Sequence, residues 1–256
     1  NLNIIRASLG ASTDLVIRKM QIGPEDSISL AVIVINGLVS NQLIFDFILE
    51  SFTIDAKKIV EIRGEMGEKD RIAFLKSLIS LAELGEAFTI EELLGKVLDG
   101  DTAILVDGES RCIIADTKGW RDRGIMEPTS ETVVRGPKEG FTETLRTNTA
   151  ILRRKIKDPN LWFEQMKIGR VSHTDIAIAY LKGVADENIV QEVRNRLSRI
   201  DVDGILESGN IEEFIQDKTF TPFPTIYSTE RPDTIAAGIM EGRIAILVDG
   251  TPFVLL

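Results

Sequence analysis

The sequence predicts an α/β protein made of two similar subdomains with mixed sheets, and three observations carry that expectation. Met20-Gln-Ile-Gly23 recurs as Met166-Lys-Ile-Gly169, and Gly37 recurs as Gly183, all at an offset of 146 residues. Leu98-Asp-Gly-Asp-Thr-Ala-Ile-Leu-Val-Asp-Gly108 recurs as Met240-Glu-Gly-Arg-Ile-Ala-Ile-Leu-Val-Asp-Gly250 at an offset of 142, with Ala-Ile-Leu-Val-Asp-Gly identical. The stretch 127–148, in contrast, belongs to neither copy. Two anchors at nearly equal offset read as a duplicated unit; the other reading is a common αβ idiom met twice. Because each copy combines hairpins with helices, the sheets are expected to be mixed rather than purely parallel. The expected division is a first subdomain over 1–124, a linker with a basic helix over 125–158, and a second subdomain over 159–256.

Taken in order, residues 3–20 open with an apolar-periodic stretch (Ile4, Ile5, Leu9) that breaks at Gly10, before a strand over 14–22 and a turn over 23–26. The β-branched run 27–35 reads as a central strand buried on both faces. Gly37 ends it, and helices follow over about 39–49, 68–84 and 89–98. The last has Thr89 as N-cap and Glu92 three residues on, a capping box. Strand, Asp107-Gly108 turn and strand then form a hairpin. In the second copy, strands are read at 161–168, 173–181, 204–208 and 243–248, and helices at about 186–197, 211–216 and 234–240. An extended, proline-fixed loop covers 220–225 and runs on to 233.

The connector starts extended, because Pro128 restricts the residue before it and Thr132, Val133 and Val134 favour strand geometry. Gly136-Pro137 and Gly140 break any regular element. From Thr142 a helix is predicted, with Leu145, Thr149, Leu152 and Ile156 on one face and Arg146, Arg153, Arg154 and Lys157 around the other. A kinked connector leading into a basic helix reads as a joint or as the lining of a cleft.

Composition bounds the function. The 256 residues are 43% hydrophobic and 27% charged, enough for a proper core. The net charge of −10 argues against a nucleic-acid-binding surface spread over the protein. The charge is uneven: 129–175 carries 9 basic and 6 acidic side chains between two acidic flanks. This basic waist either pairs with the acidic flanks or meets an anion, an acidic partner or a membrane. The single cysteine, Cys112, excludes an internal disulfide and suits a reducing compartment. No apolar run reaches the roughly 20 residues that span a bilayer, and the chain reads as an excised soluble fragment without a signal peptide.

Catalytic groups are sparse. His173 is the only histidine, so a His-based triad or a His-rich metal site is excluded by count. Phosphate-loop and dinucleotide fingerprints are absent. The expectation is therefore no enzyme, no catalytic or metal residues and no cofactor, with Cys112 and His173 dispensable. Trp120 and Trp162 read as core or interface aromatics.

Glu127-Pro-Thr-Ser-Glu, Val133-Val-Arg-Gly-Pro-Lys-Glu-Gly-Phe-Thr-Glu143, Ile168-Gly-Arg, Tyr180-Leu-Lys, Pro222-Phe-Pro224 and Thr229-Glu-Arg-Pro-Asp233 together resemble the GerA family, the A subunits of nutrient germinant receptors in endospore-forming bacteria. The resemblance runs along almost the whole chain. It implies an N-terminal domain whose membrane helices follow in C-terminal segments absent here, partner B and C subunits, and residence in the spore inner membrane with this domain in a reducing, cytoplasmic-side compartment. It also implies a part in the nutrient-triggered signal that starts germination and ion release. Further A subunits and a nutrient small molecule are additional partners under this resemblance.

Within the signature, Glu127, Arg135, Lys138, Gly140, Arg146 and Asn148 are the candidate ligand or inter-subdomain contacts. Pro128, Gly136, Pro137, Gly37 and Gly183 shape the backbone. The arginines either stand solvated on a plain connector or grip carboxylates with their planar forks. Two function classes stay open: a signal-transducing module with its own small-molecule cleft, and a scaffold that assembles receptor subunits.

Overall fold

The computed structural model describes residues 2–10, 12–22, 28–46, 71–79, 81, 83–119, 128, 131, 133–217, 221 and 223–256. The readings on 23–26, 47–49, Trp120, Glu127, Thr132, Phe220 and Pro222 lie outside them. The chain forms two compact units. One comprises Asp14–Trp120; the other comprises Arg121–Leu256 together with the N-terminal segment Leu2–Thr13, which carries α1 (Leu2–Ser8).

The first unit is built on strands β1 (Leu15–Ile22), β2 (Ile28–Ile35), β3 (Leu84–Ala87), β4 (Thr102–Val106) and β5 (Cys112–Ala115), in the order β1-β2-β4-β5-β3. The β-branched run makes β2 the second strand of the sheet, and alternation sends its side chains to two cores. Leu30, Val32 and Val34 join Ile72 and Leu75 of α3 (Arg71–Leu78) and Ile44 of α2 (Asn41–Ile44). Helix α4 (Ile90–Leu98) starts at the predicted capping box, with Glu92 N–H donating to Thr89 Oγ1 at 3.1 Å and Thr89 N–H to Glu92 Oε2 at 3.3 Å. It buries Leu93, Leu94, Val97 and Leu98.

The second unit repeats this plan. Helix α5 (Leu145–Lys155) precedes β6 (Leu161–Ile168) and β7 (Thr174–Leu181); α6 (Glu187–Ser198) and α7 (Ser208–Ile215) follow, as do β8 (Ser228–Thr229), α8 (Pro232–Met240), β9 (Ala245–Val248) and β10 (Val254–Leu255). The strand order is β6-β7-β9-β10-β8. Registers agree pair by pair. Leu161↔Leu181 repeats Leu15↔Ile35, Ile176↔Val248 repeats Leu30↔Val106, and Val254↔Thr229 repeats Ala87↔Cys112. Asp107 N–H donates to Ser29 C=O and Asp249 N–H to Asp175 C=O, both at 2.9 Å. The recurring motifs thus fall on equivalent elements, and Gly37 (φ 96°) and Gly183 (φ 85°) both follow the second strand of their sheet. Tyr180, Ile178 and Ile176 face a core with Val190 and Leu197 of α6 and Ile211 and Ile215 of α7. Ala177 and Ala179 face Leu152 of α5 and Ile235 and Ile239 of α8.

Four readings are corrected. The α/β class holds, but every described strand pairing is antiparallel rather than mixed. The reason is topological: β3-α4-β4 and β8-α8-β9 link strands of like direction, and β5 or β10 lies between them and pairs with both. The helix read over 68–84 stops at Leu78, and Leu84 already belongs to β3. The strand read over 204–208 is absent, since Ser208 opens α7. Arg153, placed on the outer face of α5, is fully buried.

Gly100 (φ 95°) and Gly242 (φ 93°) hold the same turn in the two units, and a Cβ at either would lie 3.0 Å from a carbonyl oxygen, that of Leu38 or of Val184. Gly183 has a similar φ but open space around it. Gly183→Ala is expected to cost only the left-handed backbone penalty, about 1–2 kcal/mol. Gly242→Ala adds a clash with backbone and is expected to cost measurably more by urea unfolding. Equal costs would show that the close approach imposes no constraint.

Candidate functional site

The signature segment lies in the second unit, where its backbone is pinned at several points. Pro128 is buried. Glu131 accepts from the Thr229 hydroxyl. Glu139 is the shared acceptor of Arg154 and of Lys155, the latter at 2.9 Å. Phe141 N–H donates to Glu230 C=O at 2.9 Å, and Gly250 N–H to Glu143 C=O at 2.7 Å. The last helical anchor is borrowed. Thr144 occupies the N-cap of α5 without capping it, and the Leu145 N–H donates instead to the Asp249 carboxylate at 2.9 Å. A negative group at a helix N-terminus also meets the positive end of the helix dipole.

Asn148, one turn into α5, is fully buried and closes the loop before it. Its Oδ1 accepts from Thr142 N–H at 2.8 Å and from the Thr142 hydroxyl at 3.2 Å, while its Nδ2 donates to Thr142 C=O at 2.6 Å. The side chain thereby satisfies both polar groups of the half-buried Thr142 backbone. Asn148 is thus a loop clamp, and Gly140 is buried beside it. By contrast, Arg135, Gly136, Pro137, Lys138 and Arg146 are exposed. The structure therefore buries Pro128, Gly140 and Asn148 and leaves the three cations exposed.

Two arrangements carried no signal in the sequence. The Arg153 guanidinium donates to Ser12 Oγ at 3.2 Å and to Asp158 C=O at 3.3 Å, and stands 5.0 Å over the Phe163 ring. Ser12 Oγ also accepts from Phe163 N–H at 2.9 Å, so the N-terminal segment is tied to the edge of β6. The partners are about 140–150 residues apart, beyond any local pattern. The second arrangement joins Glu164, Tyr180 and Arg194. Arg194 grips Glu164 with two bonds, at 2.8 and 2.6 Å, and the Tyr180 hydroxyl donates to Glu164 at 2.6 Å. Arg194 and then Tyr180 hold the Glu164 carboxyl below its ordinary value despite its burial. Burial and the Glu164 carboxylate push the Tyr180 hydroxyl up. Lys182 sits 5.3 Å over the Trp162 ring and pairs with Glu187.

His173 is an exposed turn residue with φ 47°, and Cys112 is buried in β5, where burial raises its thiol. Among the described residues no group of three or more His, Cys, Asp or Glu could hold a metal ion, and no helix is long and apolar enough to cross a membrane.

Two five-stranded antiparallel sheets of one topology, with a pinned signature segment in the second unit, define an internally repeated α/β module. The sequence matches the family described as Bacillus/Clostridium GerA spore germination protein over residues 3–256, and the chain belongs to that family. It is 42% identical over 256 residues to spore germination protein KA of Bacillus subtilis (strain 168), with all of this chain against 46% of that protein. It is 36% identical over 256 residues to spore germination protein B1 of the same organism, with all of this chain against 51% of that one. The chain thus spans about half the length of these curated relatives. Its fold is similar to the crystal structure of the N-terminal domain of the A subunit of the Bacillus megaterium spore germinant receptor GerK3. The TM-score is 0.75 at 40% identity, covering all of this chain and 92% of that one.

The loop clamp is testable. Asn148→Ala removes the partner of both half-buried Thr142 backbone groups, at about 0.5–1.5 kcal/mol per bond lost, and a matching drop in the urea midpoint is expected; an unchanged midpoint would show that water replaces the side chain at no cost. A second expectation concerns pH. Because the Glu164 carboxyl titrates lower in the folded protein than in the unfolded chain, its ion pair stabilises the fold above the unfolded value and is lost as pH falls through the folded value. Melting temperatures of wild type and Glu164→Gln measured from pH 7 down to pH 3 should converge toward the acid end. Parallel curves would rule out a contribution from this carboxylate.

Proposed function

We propose that this chain is the N-terminal domain of a germinant receptor A subunit and takes part in the nutrient-triggered signal that leads to spore germination and ion release. In this reading the rest of the subunit anchors it at the spore inner membrane, and B and C subunits are its partners, with further A subunits alongside. The observation that carries the reading is the convergence of the family motifs in the second unit. Segment 133–143, Thr229-Glu-Arg-Pro-Asp233 and the Asp249-Gly250 turn are bonded to one another.

That arrangement favours docking over nutrient capture by this chain. Glu164, Glu139 and Asp233 are occupied by Arg194, by Arg154 and Lys155, and by Arg231. Arg135 and Arg146 stand in solvent on a backbone that is held in place. Fixed cations of this kind suit an acidic surface on a receptor subunit, where they set orientation and association rate.

Arg135→Ala and Arg146→Ala are each expected to leave the melting temperature of this chain unchanged, since exposed charges contribute about 0–1 kcal/mol. In spores each is expected to slow germination. Receptor abundance measured beside germination separates the causes: low abundance points to assembly, normal abundance with a slow response to transmission. Normal abundance and normal germination in both variants would overturn the docking role. A thermal shift with an amino acid or sugar would return nutrient binding to this chain.

A further inference from the structure

In the first unit β5 does not end the fold. Beyond Ala115 the chain runs on as a strap that closes over the turn following β2. Ser40 N–H donates to Thr117 C=O at 2.8 Å, Gly119 N–H donates to Leu38 C=O at 3.3 Å, and Val39 and Lys118 form a β-bridge. The Thr117 hydroxyl lies 2.6 Å from that of Thr102, and the Lys118 ammonium 2.9 Å from the Asp101 carboxylate. In this arrangement Leu38 is 1% exposed and Leu98 3% exposed.

The second unit repeats the backbone of this arrangement, while Asp101 and Thr102 are replaced there by Arg243 and Ile244. Gly242 approaches the Val184 carbonyl as Gly100 approaches that of Leu38. Val184, the counterpart of Leu38, is 51% exposed, and Met240, the counterpart of Leu98, is 54% exposed. The Val184 C=O and the Asp186 N–H, counterparts of the two groups that the strap bonds in the first unit, have no hydrogen-bond partner among the described residues. The ladder itself is unfinished. Leu256 and Tyr227 exchange both backbone bonds, at 2.8 and 3.2 Å, in the place where Ile114 pairs with Gly85. In the first unit the next residue, Ala115, pairs with both Leu84 and Thr102, whose counterparts are Ile226 and Ile244.

We propose that the polypeptide continuing past Leu256 in the full-length protein extends β10 between Ile226 and Ile244 and then straps over Val184–Asp186 and Met240. The occupant is this chain's own continuation. The curated relatives are about twice as long, and the domain that this fold matches is an N-terminal one. The first unit supplies the length, path and backbone bonding pattern of the strap. Its consequence is mechanical: the downstream half leaves from a hydrogen-bonded sheet edge and not from a free tether, so a shift of β9 or α8 is passed on directly. The inference rests on the internal repeat and not on the receptor reading, so the two fail independently.

The test compares the chain ending at Leu256 with the same chain carrying a short native extension. Hydrogen exchange at Asp186 is expected to slow about tenfold or more in the extended chain, as a newly bonded amide requires. Val184→Asp should lower the melting temperature of the extended chain by about 2–4 °C and leave the shorter chain unchanged, with Met240→Asp as a second probe of the same strap. Equal Asp186 exchange in the two chains, or equal effects of both substitutions, would overturn the proposal. Protection of Asp186 in the shorter chain that grows with protein concentration would overturn it in favour of contact between two copies.

Discussion

The signature segment depends on one carboxylate supplied from elsewhere in the chain. Helix α5 begins at Leu145 with no cap of its own, and its first N–H is bonded by Asp249 from the β9–β10 turn. The neighbouring Gly250 N–H holds Glu143, so two successive residues of one turn fix the two ends of the Glu143–Leu145 bend. Such a cap contributes about 1 kcal/mol, with a favourable dipole interaction of similar size. Its larger effect is geometric, because it sets where the loop closed by Asn148 leaves the sheet. The identical turn in the first unit has no such role: Asp107 is exposed, and its side chain makes no hydrogen bond among the described residues. One dipeptide thus serves as a plain hairpin turn in one copy and as a helix cap in the other.

The sequence was legible where one physical rule dominated. The β-branched run of β2, the Thr89–Glu92 capping box and the two Asp-Gly turns read directly, because each is decided within a few residues. Strands β3 and β8 were not legible. Leu84-Gly-Glu-Ala87 has no alternation, Ser228-Thr229 is too short to show any, and both exist because β5 and β10 offer an open ladder to them. Arg153 misled for a related reason. Its spacing puts it on the polar arc of α5, but Ser12 and the Phe163 ring reach that arc from far along the chain and bury it. For the candidate residues, the local hydrogen-bond partners were not legible. Asn148 was a plausible contact residue and proved to be a loop clamp, because the backbone group it satisfies can be identified only once α5 is placed.

The two copies share a topology and differ in chemistry. In the first unit the positions equivalent to Glu164, Tyr180 and Trp162 are Arg18, Val34 and Val16, so the bidentate Arg194 pair has no counterpart there. A half-buried bidentate pair of this kind adds modest net stability and strong geometric specificity. It therefore fixes how α6 sits on its sheet more than how tightly it sits. The capping box, by contrast, is found at α4 and not at its counterpart α8, which opens on Arg231 and Pro232. Each copy has kept the backbone plan and replaced the means of holding its helices.

That division of labour bears on the proposed docking role of the second unit. If Arg135, Lys138 and Arg146 meet another surface, a backbone already ordered favours the contact, because association then loses less conformational entropy. The order comes from Asn148 and Asp249, which bond the loop and helix backbone, and from the Glu139 pairs with Arg154 and Lys155 at the end of α5. Presentation and support are carried by different residues. The supporting set can therefore stay fixed while the presented set is tuned to a partner, an arrangement that a free linker of the same composition does not provide.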